Sequence, residues 1–389
     1  MSRYYAHFKT AKHLISVYDG QIPFAAFIKT FFSKEKKYGS KDRKNIAGLC
    51  YNYYRLGNLF ADKSIEDRLS LSLFLGNHSS NEYLIEHQPD WNDAIGMDTK
   101  QKLELAGVNI KALFPFNDEL SKEIDATPFG FSYLLQPKLF VRIRPNKRPS
   151  VLNKLNQANL NFQVVSENCI SFENGTKLDE ILKINDDVVI QDYSSQLTGS
   201  VFSSILFPRN PSVWDCCAAS GGKSIMAVDI LGHIQLTVSD LRMSILKNLI
   251  KRFREAGIEL YQSFVADLSV VNYASPALID KGVDFVICDA PCSGSGTWGR
   301  TPEQLSFFKK EEIVQYCNLQ KTIADNAIKL VKKGGYFLYI TCSVFAKENE
   351  DVVSHIQEYS SLTMISQQYL KGYDVQADTL FAALFRNDH

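Results

Sequence analysis

A cysteine stands between a proline and a run of glycines in DAPCSGSGTWGR, residues 289–300, and another occurs in YITCSVF, residues 339–345. Before each lies a short apolar run, VDFVIC at 283–288 and YFLYIT at 336–341, that reads as a strand buried on both faces of a parallel sheet. Strand ends at the carboxyl edge of an open α/β sheet face the crevice where such sheets bind ligands. Either thiol alone would pass for a small buried hydrophobe. Together, Cys292 and Cys342 permit covalent chemistry, in which one thiolate adds to an electrophilic carbon and a second group removes a proton to release the product.

A ligand hollow is expected beside them. DCCAASGGKS at 215–224 follows an apolar strand with small residues that let the backbone bend sharply and approach a ligand, and a helix opens immediately after. The glycine spacing is neither that of a dinucleotide fingerprint nor that of a phosphate-binding P-loop. Asp240, at the end of the following strand, is where nucleotide folds place a carboxylate on ribose hydroxyls. Asp267 and Asp289 close two further strands. One acid at a strand end is usually a helix cap; three beside a Gly-Gly turn favour an adenosine-containing ligand.

The elements that must hold these residues follow from periodicity. Strands are expected at VWDCC (213–217), QLTVSD (235–240), QSFVAD (262–267), VDFVICD (283–289), YFLYITC (336–342) and, last, TLFAALF (379–385). Helices separate them, one with Leu246, Leu249, Ile250 and Phe253 on one face and a long one at about 311–333 carrying Ile313, Cys317, Ala324, Ala327 and Val331. That alternation is α/β, a parallel-dominated sheet with helices on both faces. Upstream, LFVRIRPNK (139–147) alternates like a strand, VLNKLNQANL (151–160) reads as a helix and VVSENCISF (164–172) as another strand, together a small α+β module. Residues 1 to about 60 read as three helices. Their stripes are Phe8, Ala11, Leu14, Ile15 and Tyr18; then Phe24, Phe27, Ile28 and Phe31; then, after Ser40 as a cap, Ile46, Leu49, Cys50 and Tyr53. Three domains are expected: a helical one at 1–125, the small module at 126–190 and a catalytic one at 191–389.

Charge adds a candidate partner. The 389 residues balance 43 Lys and Arg against 43 Asp and Glu, but unevenly: residues 1–60 hold 11 basic and 3 acidic residues, and 61–130 hold 6 and 13. Between Lys138 and Lys154 lie six basic residues and no acid, among them Arg142, Arg144 and Lys147. Such a strand would suit an RNA backbone, with ordinary surface charge as the plainer reading; for the basic start, a solvated helix face would explain the charge about equally well. The start lacks an apolar signal core and no apolar run reaches membrane-spanning length, so the expected location is the cytoplasm. The eight cysteines are accordingly expected as thiols.

DCCAASGGKS, DAPCSGSGTWGRTPE and YITCSVFAKENEDVV together resemble the signature blocks of the RsmB/NOL1/NSUN family of S-adenosylmethionine-dependent RNA cytosine-5 methyltransferases, and QDYSSQ at 191–196 is similar to the block that leads into the family's catalytic domain. The resemblance covers about 125–389; the basic helical start resembles the extension of the bacterial ribosomal-RNA members more weakly. It implies a Rossmann-like class I methyltransferase fold, S-adenosylmethionine as cofactor, RNA as substrate, and a monomer without a metal. By the same resemblance Cys342 is the nucleophile toward C6 of cytosine, and Cys292 assists removal of the C5 proton and breakdown of the adduct. Asp289 holds the base edge, and Lys223 forms the floor of the site, unless it merely pairs with a carboxylate. Cys217, Ala218, Ala219, Ser220, Gly221, Gly222 and Lys223 line the cofactor with Asp240, Asp267 and Asp289. Arg300 belongs to an Arg-x-Pro-Glu element that contacts RNA or the active-site loop. Glu348, Asn349 and Glu350 match the helix start after the nucleophile, where plain capping would serve as well.

Three positions depart from the family pattern. Ser220 stands where proline is usual, the last strand reads DTLF in place of Asp-Gly-Phe-Phe, and 359–377 matches poorly. Small-subunit ribosomal RNA is the favoured substrate and transfer RNA the runner-up. Rival readings are a zinc site on Cys288 and Cys292, spaced C-x3-C but without a matching second pair, an RNA-binding assembly factor without catalysis, and a dehydrogenase, which lacks its fingerprint.

Overall fold

A computed structural model describes residues 3–271 and 281–389. They fall into two compact units, one built from the chain up to 120 with 124–136 and 297–310, the other from 121–123, 137–296 and 311–389.

The first unit is helical. Helices Arg3–Val17, Phe24–Lys34 and Ser40–Arg55 form over the three expected stripes, and Cys50 is wholly buried core. In the second helix Phe24, Ile28 and Phe32 face inward. Phe32 replaces the expected Phe31 because residues four apart stack along one face. Gly39, not Ser40, is the cap of the third helix. Residues 297–310 join this unit through buried polar ties: Arg55 donates to the carbonyls of Tyr133, Leu135 and Gly299, and Glu303 accepts the Phe24 amide. Trp298 is buried against Phe114, Phe116 and Phe308.

The second unit carries two sheets. The small one runs β2-β3-β1-β4, from β1 (Leu139–Ile143), β2 (Gln163–Ser166), β3 (Cys169–Phe172) and β4 (Val188–Ile190). The single strand expected at 164–172 is a hairpin, since Glu167 and Asn168 turn the chain between β2 and β3. The large sheet contains β5 (Ser212–Asp215), β6 (Gln235–Asp240), β7 (Tyr261–Val265), β8 (Val283–Asp289), β9 (Val331–Thr341), β10 (Leu362–Lys371) and β11 (Thr379–Asn387). Its order is β10-β11-β9-β8-β5-β6-β7. Strands β5 to β9 pair in parallel and β11 lies antiparallel between β9 and β10. The order reverses beside β5, and such switch points open a crevice at the strands' carboxyl ends. Val213, Phe285, Ile287, Leu338 and Ile340 meet Ile225, Met226, Leu246, Leu249 and Phe253 from the flanking helices in one apolar core, the principal stabilising layer of this unit.

The long helix ends at Ile328, short of the expected 333, and Val331 already belongs to β9. Gly334, at φ +75°, lets that strand irregularly join its neighbour before the regular pairing begins at Tyr336. Strand β10 escaped the sequence reading because its middle, from Met364 to Gln368, is polar or exposed on both faces, as an edge strand allows.

The basic module packs as part of the second unit. Arg142 Nη1 lies 2.6 Å from Asp229 Oδ2, and Arg144 contacts both Asp229 oxygens, at 2.7 Å through Nη2 and 3.2 Å through Nε. Arg142 Nε donates to Gln191, and Arg144 Nη1 to the carbonyls of Asn185 and Ala256. Asp229 sits on the helix Gly222–Leu231 of the large sheet, so three charges whose side chains are mostly shielded from solvent tie the two sheets' layers together.

Candidate active site

The carboxyl edge of the large sheet gathers the expected residues. Asp215, Asp240 and Asp289 end β5, β6 and β8; Cys342 comes one residue after β9, and Asp267 two after β7. The Cys292 and Cys342 sulfurs are 3.1 Å apart, both free and partly exposed. That geometry needs two loops held in register. The Gly296 amide donates to the Cys342 carbonyl at 2.9 Å, and a Cβ on Gly296 would fall 2.0 Å from the Thr379 carbonyl oxygen, so only glycine allows the approach.

Glu348 completes the clamp. Its wholly buried carboxylate accepts the Ser293 amide at 2.9 Å, the Ser293 hydroxyl at 2.5 Å, the Ser343 hydroxyl at 2.7 Å and Gln320 Nε2 at 2.9 Å. Ser293 follows one cysteine and Ser343 the other. The loops are thereby fixed to each other through one anion, whose desolvation is offset by charge-assisted hydrogen bonds. Sequence pattern suggested helix capping for Glu348; the five-residue spacing from Ser343 was the available signal for its reach back to the loops. Gln320 and the half-buried Tyr316, close enough to feel the charges of both cysteines, carried no sequence signal beyond helical spacing.

The two thiols sit in unlike fields. Lys223 Nζ is 2.6 Å from Asp289 Oδ2, so the expected carboxylate partner is present. Burial would lower the Lys223 ammonium, yet Asp289 and then the charges of Cys342 and Asp215 hold it above its ordinary value. The Cys292 thiol is pushed well up, first by its hydrogen bond to Cys342, then by burial, then by the charges of Cys342 and Glu348. The Lys223 ammonium feels the charge of Cys342, while the Glu348 carboxylate adds to the causes that hold the proton on Cys292.

Asp215, fully buried, is pushed up to about 7 by desolvation, against the Ser224 hydroxyl at 2.5 Å that favours its ionised form. A carboxyl raised above its ordinary 3.8 makes the folded state bind the proton more tightly, so its contribution is fully present in acid and lost as pH rises through about 7. Asp215→Asn should remove that slope. Its midpoint of thermal unfolding, compared with that of the native chain, should gain between pH 5 and pH 8; an equal difference at both would show that Asp215 does not titrate there.

The loop Cys217–Gly222 suits the adenosine-type ligand. Ala219 and Gly221 have φ of +45° and +81°, and a Cβ on Gly221 would meet Phe253 at 2.7 Å, whereas Gly222 has open space around it at the helix start. Asp240 accepts the Ala219 amide at 3.1 Å and the Arg242 amide at 2.9 Å, one on each oxygen. Each oxygen keeps a lone pair for a ribose hydroxyl. Asp267 accepts the Ser269 amide at 3.0 Å and shapes the turn beyond β7. An open glycine turn, a helix start and an oriented carboxylate fit S-adenosylmethionine.

The expected basic residues of the small module lie away from the carboxyl edge. Arg142 and Arg144 are turned inward onto Asp229, because a charge in a buried layer must be paired there, and the one Arg142 nitrogen without a partner, Nη2, is itself buried away from any RNA phosphate. Lys147, half exposed, pairs with Asp186 at 2.7 Å. Arg300 lies in the segment packed with the helical unit, its amide closing a turn on Thr297. The structure does not bring together the C-x3-C pair of the zinc reading: the sulfur beside Cys292 is that of Cys342, while Cys288 gathers with Cys216 and Cys217, all within 4.8 Å of one another. No helix among the described residues is long and apolar enough to cross a membrane.

Residues 203–379 match the family model described as 16S rRNA methyltransferase RsmB/F. A probable ribosomal RNA small subunit methyltransferase B of Bacillus subtilis is 28% identical over 235 residues, 58% of this chain and 51% of the relative. Ribosomal RNA small subunit methyltransferase B of Xylella fastidiosa is 30% identical over 166 residues, 42% of this chain and 37% of the relative. The chain thus spans about half the length, or less, of these curated relatives. Among solved structures, PH0851 superposes with a TM-score of 0.70 at 19% identity over 96% of both chains. NSun6 from Pyrococcus horikoshii does so at 0.56 and 14% identity over 68% of this chain and 94% of its own. These likenesses establish the fold, a Rossmann-like methyltransferase sheet.

Proposed function

We propose, for a chain whose residues 203–379 place it in the RsmB/F methyltransferase family, that it methylates C5 of a cytosine in RNA, small-subunit ribosomal RNA above all, through a covalent adduct between Cys342 and C6. The observation that carries this reading is the 3.1 Å approach of two thiols in unlike fields at the cofactor edge of the sheet. C5 of cytosine is a poor nucleophile, and addition of a thiolate at C6 makes it an enamine-like carbon. S-adenosylmethionine, held by Cys217–Gly222 and Asp240, supplies the methyl group that this carbon accepts.

The chain's own groups divide the remaining work. Cys342, whose charge Lys223 feels, forms the S–C6 bond. Asp289, with its second oxygen free of Lys223, holds the base edge and keeps C6 over the sulfur. Once Cys342 is bonded to carbon its negative charge is gone, and with it the first cause that holds the proton on Cys292. Cys292 then loses that proton to solvent and takes the one from C5; the C5–H electrons re-form the ring double bond as the S–C6 bond breaks and returns the thiolate to Cys342. The target base must leave its stack to be reached from C6, so the RNA is presented as a loop, a bulge or a flipped nucleotide.

Bisulfite sequencing of ribosomal and transfer RNA from cells with and without the gene tests the assignment. Loss of one methylcytosine from small-subunit ribosomal RNA is the expected result. A loss confined to transfer RNA would move the substrate, and no loss in either pool would end the proposal.

A further inference from the structure

Ser220 raises a physical question at the centre of the cofactor loop. The turn around it is costly: Ala219 is a non-glycine residue at φ +45°, next to Gly221 at +81°. In the family pattern the intervening residue is proline, whose ring fixes φ and restricts the residue before it. Serine does neither. A loop without that restraint would sample other shapes and bind its ligand only in the fraction that is correctly formed.

A side chain from another element takes up the task. Arg252, on the helix Met243–Glu255, donates through Nη1 to the Ser220 carbonyl at 2.9 Å and to its hydroxyl at 2.7 Å. The guanidinium is held from its other side, where Nε donates to Asn185 Oδ1 at 3.1 Å. Asn185 is itself constrained. It is buried at φ +72°, donates through Nδ2 to Glu255 at 2.8 Å, and its carbonyl accepts Arg144 Nη1 at 2.8 Å. Asn185 lies in the small-sheet module just before β4, so the chain of contacts runs from that module through Arg252 to the residue between the two strained positions.

We propose that Arg252 is a positioning residue for the cofactor: anchored by Asn185, it clamps Ser220 and holds the Cys217–Gly222 loop in the binding shape that proline imposes elsewhere in the family. The hydroxyl contact depends on serine, since proline lacks that acceptor, whereas the carbonyl contact would be open to either residue. The Ser220 amide donates to no acceptor among the described residues, so proline would cost it no hydrogen bond.

The inference rests on the S-adenosylmethionine reading, and the test separates the two. The probe is S-adenosylhomocysteine, titrated calorimetrically into the full chain, with thermal unfolding recorded in parallel. Arg252→Leu should weaken binding about tenfold, the scale of losing hydrogen bonds to a charged group, and raise KM for the methyl donor while kcat at saturation changes little. Ser220→Pro in the same chain should bring the affinity back to within about threefold of the native value while restoring at most part of any lost thermal stability, since proline stiffens the unfolded chain but the Asn185 and Arg252 contacts stay broken. A purely structural Arg252 would not be rescued in this way. Should Arg252→Leu fail to fold, Asn185→Gly keeps the left-handed backbone and removes the anchor of Nε, and should weaken binding by about two- to fivefold. Undiminished binding in Arg252→Leu, or in Asn185→Gly where that variant is the one read, overturns the proposal, as does a double variant no tighter than Arg252→Leu. A native chain that binds no S-adenosylhomocysteine overturns the cofactor reading itself.

Discussion

Cys292→Ala is expected to accumulate as a denaturant-resistant adduct with its RNA, and Cys342→Ala to form neither adduct nor methylated product. The asymmetry follows from the fields around the two sulfurs. Lys223 lies near enough to Cys342 to feel its charge; Cys292 feels the buried carboxylate of Glu348 and keeps its proton until Cys342 is spent. Removing Cys342 eliminates the attack on C6, and turnover should fall by about three orders of magnitude or more. Removing Cys292 leaves attack and methyl transfer intact but slows breakdown of the adduct by about 10²–10⁴-fold, the range of a lost general base. Denaturing gel electrophoresis with labelled RNA reads both outcomes. An adduct trapped by Cys342→Ala and absent in Cys292→Ala would exchange the two roles.

Asp229→Ala should be the most destabilising change outside the site, by about 3–5 kcal/mol, because it strands two buried guanidiniums without their anion. Arg142→Met should cost less, about 1–2 kcal/mol, since Arg144 still pairs with Asp229 through both oxygens. Urea unfolding of the two variants gives the order. The same pair tests the correction made to the basic strand. A phosphate contact contributes to the salt dependence of RNA affinity, reducing the slope by about one when removed; Arg142→Met should leave that slope unchanged. A shallower slope would return Arg142 to the RNA surface.

The parts of the molecule legible in the sequence share a physical reason. Strands β5, β6 and β8 are buried on both faces, so their apolar runs stand out, and the residues that follow them are the site. Cys292, Cys342, Asp240 and Asp289 could be placed at one edge for that reason. What escaped reading depends on partners distant in the chain. β10 is an edge strand whose polar centre has no alternation to detect. The charges of Arg142 and Arg144 read as surface because nothing local reveals an aspartate, 87 and 85 residues on, that takes both. Glu348 looked like a cap because its four donors arrive from residues 293, 320 and 343, and only folding brings them to one carboxylate. Ser220 was legible as a departure, whereas its compensation, an arginine 32 residues later, was not.

The placement of β11 has a bearing on synthesis. The strand that delivers Cys342 pairs on one side with β8, but its other side is closed only by residues 379–387, inserted between β9 and β10. On the ribosome, every earlier strand of the sheet has therefore emerged while this flank still presents unsatisfied amides and carbonyls to the solvent and to neighbouring nascent chains. Completion of the support beneath Cys342 must wait for β11 to be translated, so this edge is the portion of the sheet that co-translational folding reaches last.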